Sequence, residues 1–422
     1  MHSTTEQLNA FQSCASDIAI IGGGLSGSLA AVVLGRAGYR VTLIDRQAAY
    51  PPEFRVEKIA GDQVESLGRL GLLDAIAAAS VRFDRVLSVR GDRVIKWSHG
   101  PNYGLPYQDL VRTVRSEIPA SVNFIIGRVA DVQAGPAQQL ITMVTGEKIT
   151  ARVVVLATGM SDALSHELGI HRRLVAKKHS LTFGFSIAPV SGTAFAFPSL
   201  TSYGERWGDG ISYLSLFPVP GAMRANLFTF IDPSDPWTRE LRRDPKSALL
   251  AAMPRLRYFL GDFHVIDKVQ SWAMNLLAVE NHQCHGAVLI GDAFQTSCPA
   301  AGTGISRLIT DVERLCNVHM PGWLATPGMS AEKIAKFYND PVKKAADARA
   351  ARLSSYLRSV AMESGLGWTV RRRTFFFKRR LLGWIDRVNP VWATRMRRLQ
   401  ATRDTLPIAM KAACAPILWL LG

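Results

Sequence analysis

Disulfide pairing finds no support in this sequence. Its five cysteines, Cys14, Cys284, Cys298, Cys316 and Cys414, are odd in number and none stands in a CxxC spacing, which favours a reduced, intracellular chain. Long apolar runs are missing as well, so no stretch is expected to cross a bilayer. The first residues, MHSTTEQLNAFQSCAS, lack the basic and apolar regions of a secretion signal, and a cytoplasmic location is the expectation. Metal-ligand groupings are scarce. His282, Cys284 and His285 cluster in NHQCHG without a second group at zinc spacing, so no metal site is expected. Acid is the minority charge, with 34 Asp and Glu against 50 Lys and Arg and a formal net charge of +16. What remains is a globular composition, 48% apolar over 422 residues, long enough for two or three domains.

The stretch with the clearest chemistry is Asp17 to Arg46, DIAIIGGGLSGSLAAVVLGRAGYRVTLIDR. It reads as strand, tight turn, helix and second strand. Gly22, Gly24 and Gly27 fill the three places of GxGxxG, serving the turn, the close approach of backbone to a pyrophosphate, and the packing of helix on strand. The helix from Leu25 points its unpaired amides at that pyrophosphate. Asp45 ends the second strand, where a carboxylate accepts ribose hydroxyls. A nucleotide-binding domain follows from this combination; a lone glycine motif would not carry it.

Residues 1 to 16 read as a loose leader. After the turn motif, Glu53 to Leu73 is expected to be a helix, with Val64, Leu67 and Leu70 on one face and Arg55 near its start. Arg55 is either solvated or reaches back to cofactor phosphates. Val81 to Trp97 reads as two strands about Gly91-Asp92, Tyr107 to Glu117 as a helix, and Ala151 to Gly159 as a buried parallel strand. From Lys177 to Glu280 short strands alternate with Gly, Pro and Ser, which indicates an inserted antiparallel sheet, interrupted by a helical stretch from about Arg239 to Phe259. Gly286 to Leu315 returns to strand, glycine-rich loop and helix. The expected division is 17–176 and 281–340 for the two parts of the nucleotide-binding domain, 177–280 for the sheet domain, and 341–422 for a basic, aromatic-rich helical C-terminal region. The fold class is α/β, Rossmann-like with an inserted antiparallel sheet.

With GxGxxG first, Ala157-Thr158-Gly159 next and Gly291-Asp292 last, the chain resembles the FAD-dependent aromatic hydroxylases typified by para-hydroxybenzoate hydroxylase, over about residues 17 to 340. The resemblance implies that Gly22, Gly24, Gly27 and Asp45 hold the ADP half of FAD, with Arg46 following that acid, Arg55 near the pyrophosphate and Gln108 on a flavin-contacting helix. It implies that Gly159 belongs to the middle motif, that Asp292 binds the ribityl region, and that Pro299, Gly302 and Gly304 form the PxxGxG loop beside the isoalloxazine ring. Three positions depart from the family pattern. Ala157-Thr158-Gly159 stands for ADG, Gly291-Asp292-Ala293-Phe294-Gln295 for GDAAH, and Ser306 for an asparagine. NAD(P)H is the electron donor the family implies, and these departures leave room for a separate flavin reductase. The implied activity is hydroxylation of an aromatic or other electron-rich small molecule through a flavin C4a-hydroperoxide. The cofactor carries that chemistry, so no catalytic side chain is assigned. Phe183, Phe197, Tyr213, Phe217 and Trp272 are candidate walls of a substrate pocket, each also suited to simple sheet core.

Three other readings stand beside this one. A flavin-dependent halogenase is disfavoured, because Trp272 in SWAMNL has no second tryptophan of WxWxIP and Gly302 stands where such enzymes carry serine. An isoprenoid-saturating reductase of the geranylgeranyl type and a maturation flavoprotein acting on a protein partner are the others. Cys298 reads as a small buried filler beside Pro299. Between 366 and 403, eleven Arg and Lys against Asp386 alone give +10, interleaved with Trp368, Phe375, Phe376, Phe377, Trp384 and Trp392. This composition suits a helical cap with solvated arginines, a peripheral membrane contact for a lipophilic substrate, or, least well, a nucleic-acid surface; no nucleic-acid partner is expected.

Overall fold

The computed structural model describes residues 15–55, 57–190, 192 and 194–388. The leader through residue 14, with Cys14, and the tail from residue 389, with Trp392 and Cys414, lie outside the described residues. The chain forms two compact units, the first from Met1–Val81, Asn102–His179 and Ala273–Ser354, the second from Arg82–Pro101, Ser180–Trp272 and Ser355–Gly422.

The first unit is built on a seven-stranded sheet. The strand Ser16–Ile21 lies at its centre, paired in parallel with Val41–Asp45 on one side and Lys148–Leu156 on the other. Ile18, Ala19 and Ile20 are fully buried, which is why this strand is a continuous apolar run without alternation. Asn123–Ile126 extends the parallel set beyond Val41–Asp45, and Ala287–Leu289 pairs in parallel with Lys148–Leu156. Gln139–Met143 and Val129–Gln133 add an antiparallel meander. The helix Leu25–Arg36 covers one face through Leu25, Leu29, Val32 and Leu34. The crossovers leave the ends of Ser16–Ile21, Val41–Asp45, Lys148–Leu156 and Ala287–Leu289 at one edge, the usual location of ligands in such sheets.

The helix expected over 53–73 is corrected by the structure. Lys58–Ala60 is a strand, Asp62–Arg69 a helix and Leu73–Ala78 another. Lys58, Ile59 and Ala60 pair antiparallel with Gly104, Tyr103 and Asn102, so backbone needed for a helix is spent on a ladder. Gly61, at φ +59°, then breaks the path, and the helix begins only at Asp62. The spacing of Val64 and Leu67 was genuine, and both are buried. Arg55 accordingly sits in a loop rather than at a helix start.

The second unit is an antiparallel sheet in which the long strand His171–Pro189 pairs with Ala222–Thr229, and that with Ile211–Val219. Leu200–Tyr203 joins next and pairs in parallel with Val81–Arg90. Thus residues 82–101 group with the antiparallel sheet although they lie inside the stretch 17–176 that local texture assigns elsewhere. Phe183, Phe185, Leu214, Leu216 and Leu227 fill the core. The expected helical stretch is cut at two prolines into Pro236–Arg243, Pro245–Ala252 and shorter turns. Asp235 and Asp244 cap the first two by accepting from Trp237 N and Ser247 N, the preferred residue type before an N-terminal proline. Of the candidate pocket aromatics, Phe183, Phe197 and Phe217 are core residues with at most 4% exposure; Tyr213 is half-buried against Phe228, and Trp272 is half-buried. Among the described residues no helix is long and apolar enough to cross a membrane.

Candidate functional site

A groove of about 870 Å³ opens in the first unit at the edge where the parallel strands end. It is lined by Gly22, Gly24, Leu25, Ser26, Asp45, Arg46, Arg55, Tyr107, Thr158, Gly159 and Asp292, among others. Its size is at the upper end for small-molecule sites and admits a dinucleotide. Seven of the residues singled out from sequence therefore share one cavity. Gly27 lies behind it. Gln108 is half-buried and neither it nor Pro299, Gly302 and Gly304 are among the lining residues.

The glycine turn is shaped by close contacts. Gly22 has φ +104°, and a Cβ there would lie 2.5 Å from Ala157 O. A Cβ on Gly27 would lie 1.8 Å from Gly22 O, so only glycine lets the helix approach the turn this closely. No side chain caps the helix at Gly24, which leaves first-turn amides available to an anion. Asp45 holds the turn from the next strand: its Oδ2 accepts from Gly23 N at 2.6 Å and its Oδ1 from Gln47 N at 2.8 Å.

Two arginines here escaped the sequence reading. Arg115, on the helix Tyr107–Ser116, donates from Nε to Gly23 O at 2.8 Å and from Nη1 to Gln47 O and Ala48 O at 2.8 and 3.0 Å. Its Nη2 lies 3.4 Å from Asp45 Oδ1 and is buried without a hydrogen-bond partner. Arg172 ties the middle motif to the last, donating from Nη2 to Gly159 O at 2.6 Å and Asp292 O at 3.4 Å. Burial pulls its pKa down against the pull of Asp162 and Asp292. The sequence offered a cue for Arg115 alone, an arginine near the end of a predicted helix; Arg172 lies between the expected elements.

Opposite the turn, Arg55 joins the two halves of the groove. Its Nη1 donates to Asp292 Oδ2 at 3.3 Å and its Nε lies 2.9 Å from Glu53 Oε1. Burial would lower the Arg55 pKa, but Glu53 and Asp292 raise it. Tyr50 donates to Glu53 Oε2 at 2.6 Å and meets Tyr107 edge-on; burial pushes the Tyr107 hydroxyl up to about 12. Asp292 is also approached at 3.7 Å by Arg307, whose side chain is 1% exposed. Behind it, Lys343 Nζ pairs with Asp311 at 2.8 Å and Asp347 at 3.0 Å. Burial raises the Asp347 pKa while Lys343 opposes it. Gly291 N donates to Asp311 Oδ2 at 2.9 Å, so this buried charge cluster fixes the backbone that presents Asp292. Gln295, where the family pattern has histidine, contributes its carbonyl to Arg307.

His282, Cys284 and His285 have separate partners. His282 packs edge-on against Phe294 and Tyr338, Cys284 faces Ala287 O, and His285 Nδ1 accepts from Ala331 N. Cys298 is fully buried.

Comparison with known proteins agrees with this geometry. A family described as FAD binding domain matches residues 15–318. The chain belongs to that family and is an FAD-dependent oxidoreductase of the flavoprotein hydroxylase fold. Similar solved structures include p-nitrophenol 4-monooxygenase PnpA from Pseudomonas putida DLL-E4, with 16% identity, TM-score 0.67 and 86% of this chain and 93% of that one covered. Aklavinone-11 hydroxylase, in complex with FAD and aklavinone, has 17% identity and TM-score 0.66, covering 83% of this chain and 70% of that one. The flavin-dependent brominase Bmp2 has 18% identity and TM-score 0.65, with 91% and 92% covered. At these identities the likeness is one of fold.

Proposed function

We propose that the protein is an FAD-dependent monooxygenase that hydroxylates an aromatic or other electron-rich small molecule. The observation that carries this reading is the Arg55–Asp292 pair in one groove with the glycine turn, which suits a dinucleotide running from turn to Asp292. In this reading Gly22 and Gly24, with the first amides of the helix Leu25–Arg36, receive the pyrophosphate, and Asp45 takes the ADP ribose. Arg46 and Arg55 offset phosphate charge, Asp292 receives the ribityl hydroxyls, and the loop of Pro299, Gly302 and Gly304 borders the flavin ring. Gln108 stands just outside the groove lining, and Arg115 takes the larger part in fixing that wall. FAD supplies the redox and oxygen chemistry.

Electrons come from NAD(P)H, directly or through a separate flavin reductase; Thr158 in place of the family's acid favours testing both. Oxygen uptake by the FAD-loaded protein with NADH or NADPH, with and without an added reductase and a panel of phenols, tests the proposal. Substrate-stimulated uptake with stoichiometric hydroxylated product is expected. Turnover only with bromide or chloride would make it a halogenase, and saturation of an alkene without oxygen uptake a reductase.

A further inference from the structure

The last described helix, Leu366–Val388, divides its aromatic residues between two sides. On one, Phe375 and Phe376 meet Tyr203 edge-on, and Phe376 also packs on Trp207. Arg372 is 2% exposed and donates to Val360 O and Glu363 O. Gly383 abuts Lys96, where a Cβ would lie 2.5 Å from Lys96 Cβ. These contacts fix the rotation of the helix on its own unit. The helical cap with solvated arginines, one of the sequence readings, accounts for this side alone.

The other side faces solvent along Leu366, Val370, Arg373, Phe377, Arg380 and Trp384. The steps alternate four and three residues, which at about 100° per residue confines them to one stripe about 80° wide. Leu366 is 87% exposed, Val370 62%, Phe377 61% and Trp384 61%. Four large apolar side chains are left in water on a helix whose opposite side is docked, and arginines are interleaved between them. Over Leu366–Val388 seven basic residues face Asp386 alone. None of these residues lines the groove.

We propose that this stripe docks on an anionic lipid surface. A bilayer interface takes up Phe, Trp and Leu at acyl depth while arginines reach sideways to phosphates, and spread negative charge matches the spread positive charge. A second copy of the helix would oppose arginine to arginine. A nucleic acid would engage the arginines and leave Leu366, Val370 and Phe377 in water.

The test uses the full chain and sedimentation with vesicles of phosphatidylcholine alone or with about a third phosphatidylserine. Two variants accompany it, Phe377→Ser with Trp384→Ser, and Arg373→Glu with Arg380→Glu; retained flavin absorbance and an unchanged thermal midpoint verify folding. The expected result is pelleting with the anionic vesicles only. Each variant should weaken the partition at least roughly tenfold, since one arginine near such a surface is worth about fivefold. If either variant fails to fold, the other carries the test. Wild-type protein staying in the supernatant would overturn the proposal. So would unchanged pelleting of the serine variant, or retention on duplex DNA that the serine variant shares.

Discussion

Arg115 illustrates how one side chain can organise a turn it does not belong to. It binds the carbonyls of Gly23, Gln47 and Ala48 and lies beside Asp45, so a single guanidinium holds the glycine turn against the end of the next strand. Charge-assisted hydrogen bonds of this type are worth about 1.5–3 kcal/mol each, and part of that positions the turn amides. Arg115→Met, which keeps the stem, is expected to weaken FAD binding roughly tenfold or more, by about 1.4 kcal/mol for each factor of ten, with far-ultraviolet circular dichroism unchanged. Flavin fluorescence titration of the two proteins measures it; equal affinity would show the guanidinium to be incidental. Gly22 and Gly27 were legible beforehand because glycine at these places is a local backbone requirement spelled out within one supersecondary unit. Arg115 was not, because its contact to Gly23 spans 92 residues and arises only when the helix docks. The same holds for Arg55 and Asp292, 237 residues apart, which sequence set near the cofactor separately but not against each other.

At the scale of the element, one buried carboxylate fixes where a long helix starts. Asp340 precedes Pro341 at the start of the helix Pro341–Met362, and its Oδ1 accepts from Val342 N and Lys343 N at 2.9 and 3.1 Å. Its Oδ2 accepts from Arg314 Nη2 at 2.7 Å and lies 3.1 Å from His319 Nε2. Burial alone would raise the Asp340 pKa, but Arg314, the Lys343 amide and His319 together hold it down at about 2. A depressed carboxylate contributes stability that is present above its unfolded value near 3.8 and is lost as pH falls through the folded value. Asp340→Asn keeps a competent cap and removes the ion pair; it should cost roughly 1–2 kcal/mol at neutral pH, and the deficit should vanish between about pH 4 and 2. Asp340→Ala should cost about 1 kcal/mol more through the lost cap. Urea unfolding across that pH range checks both, and a pH-independent deficit would refute the ionic part. The segment 53–73, expected as one helix, shows what local spacing misses. There helical spacing was real over Asp62–Arg69, but strand pairing of Lys58–Ala60 with residues 102–104 is a distant partner's choice that local periodicity does not register.

At the scale of the whole molecule, texture alone separated a parallel nucleotide-binding sheet from an inserted antiparallel one. Continuous apolar runs such as Val153 to Leu156, buried throughout, differ in sequence from the alternating strands of Leu181 to Thr229. The assignment of residues 82–101 was beyond such reading, since a hairpin's own sequence does not say which sheet it joins. FAD binding by the groove is the claim on which the rest depends. The most direct measurement is the visible spectrum of the purified protein before and after addition of excess FAD and removal of the unbound cofactor. A flavin band at about 450 nm that stays with the protein, and that is lost in a protein carrying Gly27→Ala, is the predicted result. A colourless protein that retains no flavin after reconstitution, while folded by circular dichroism, would contradict it.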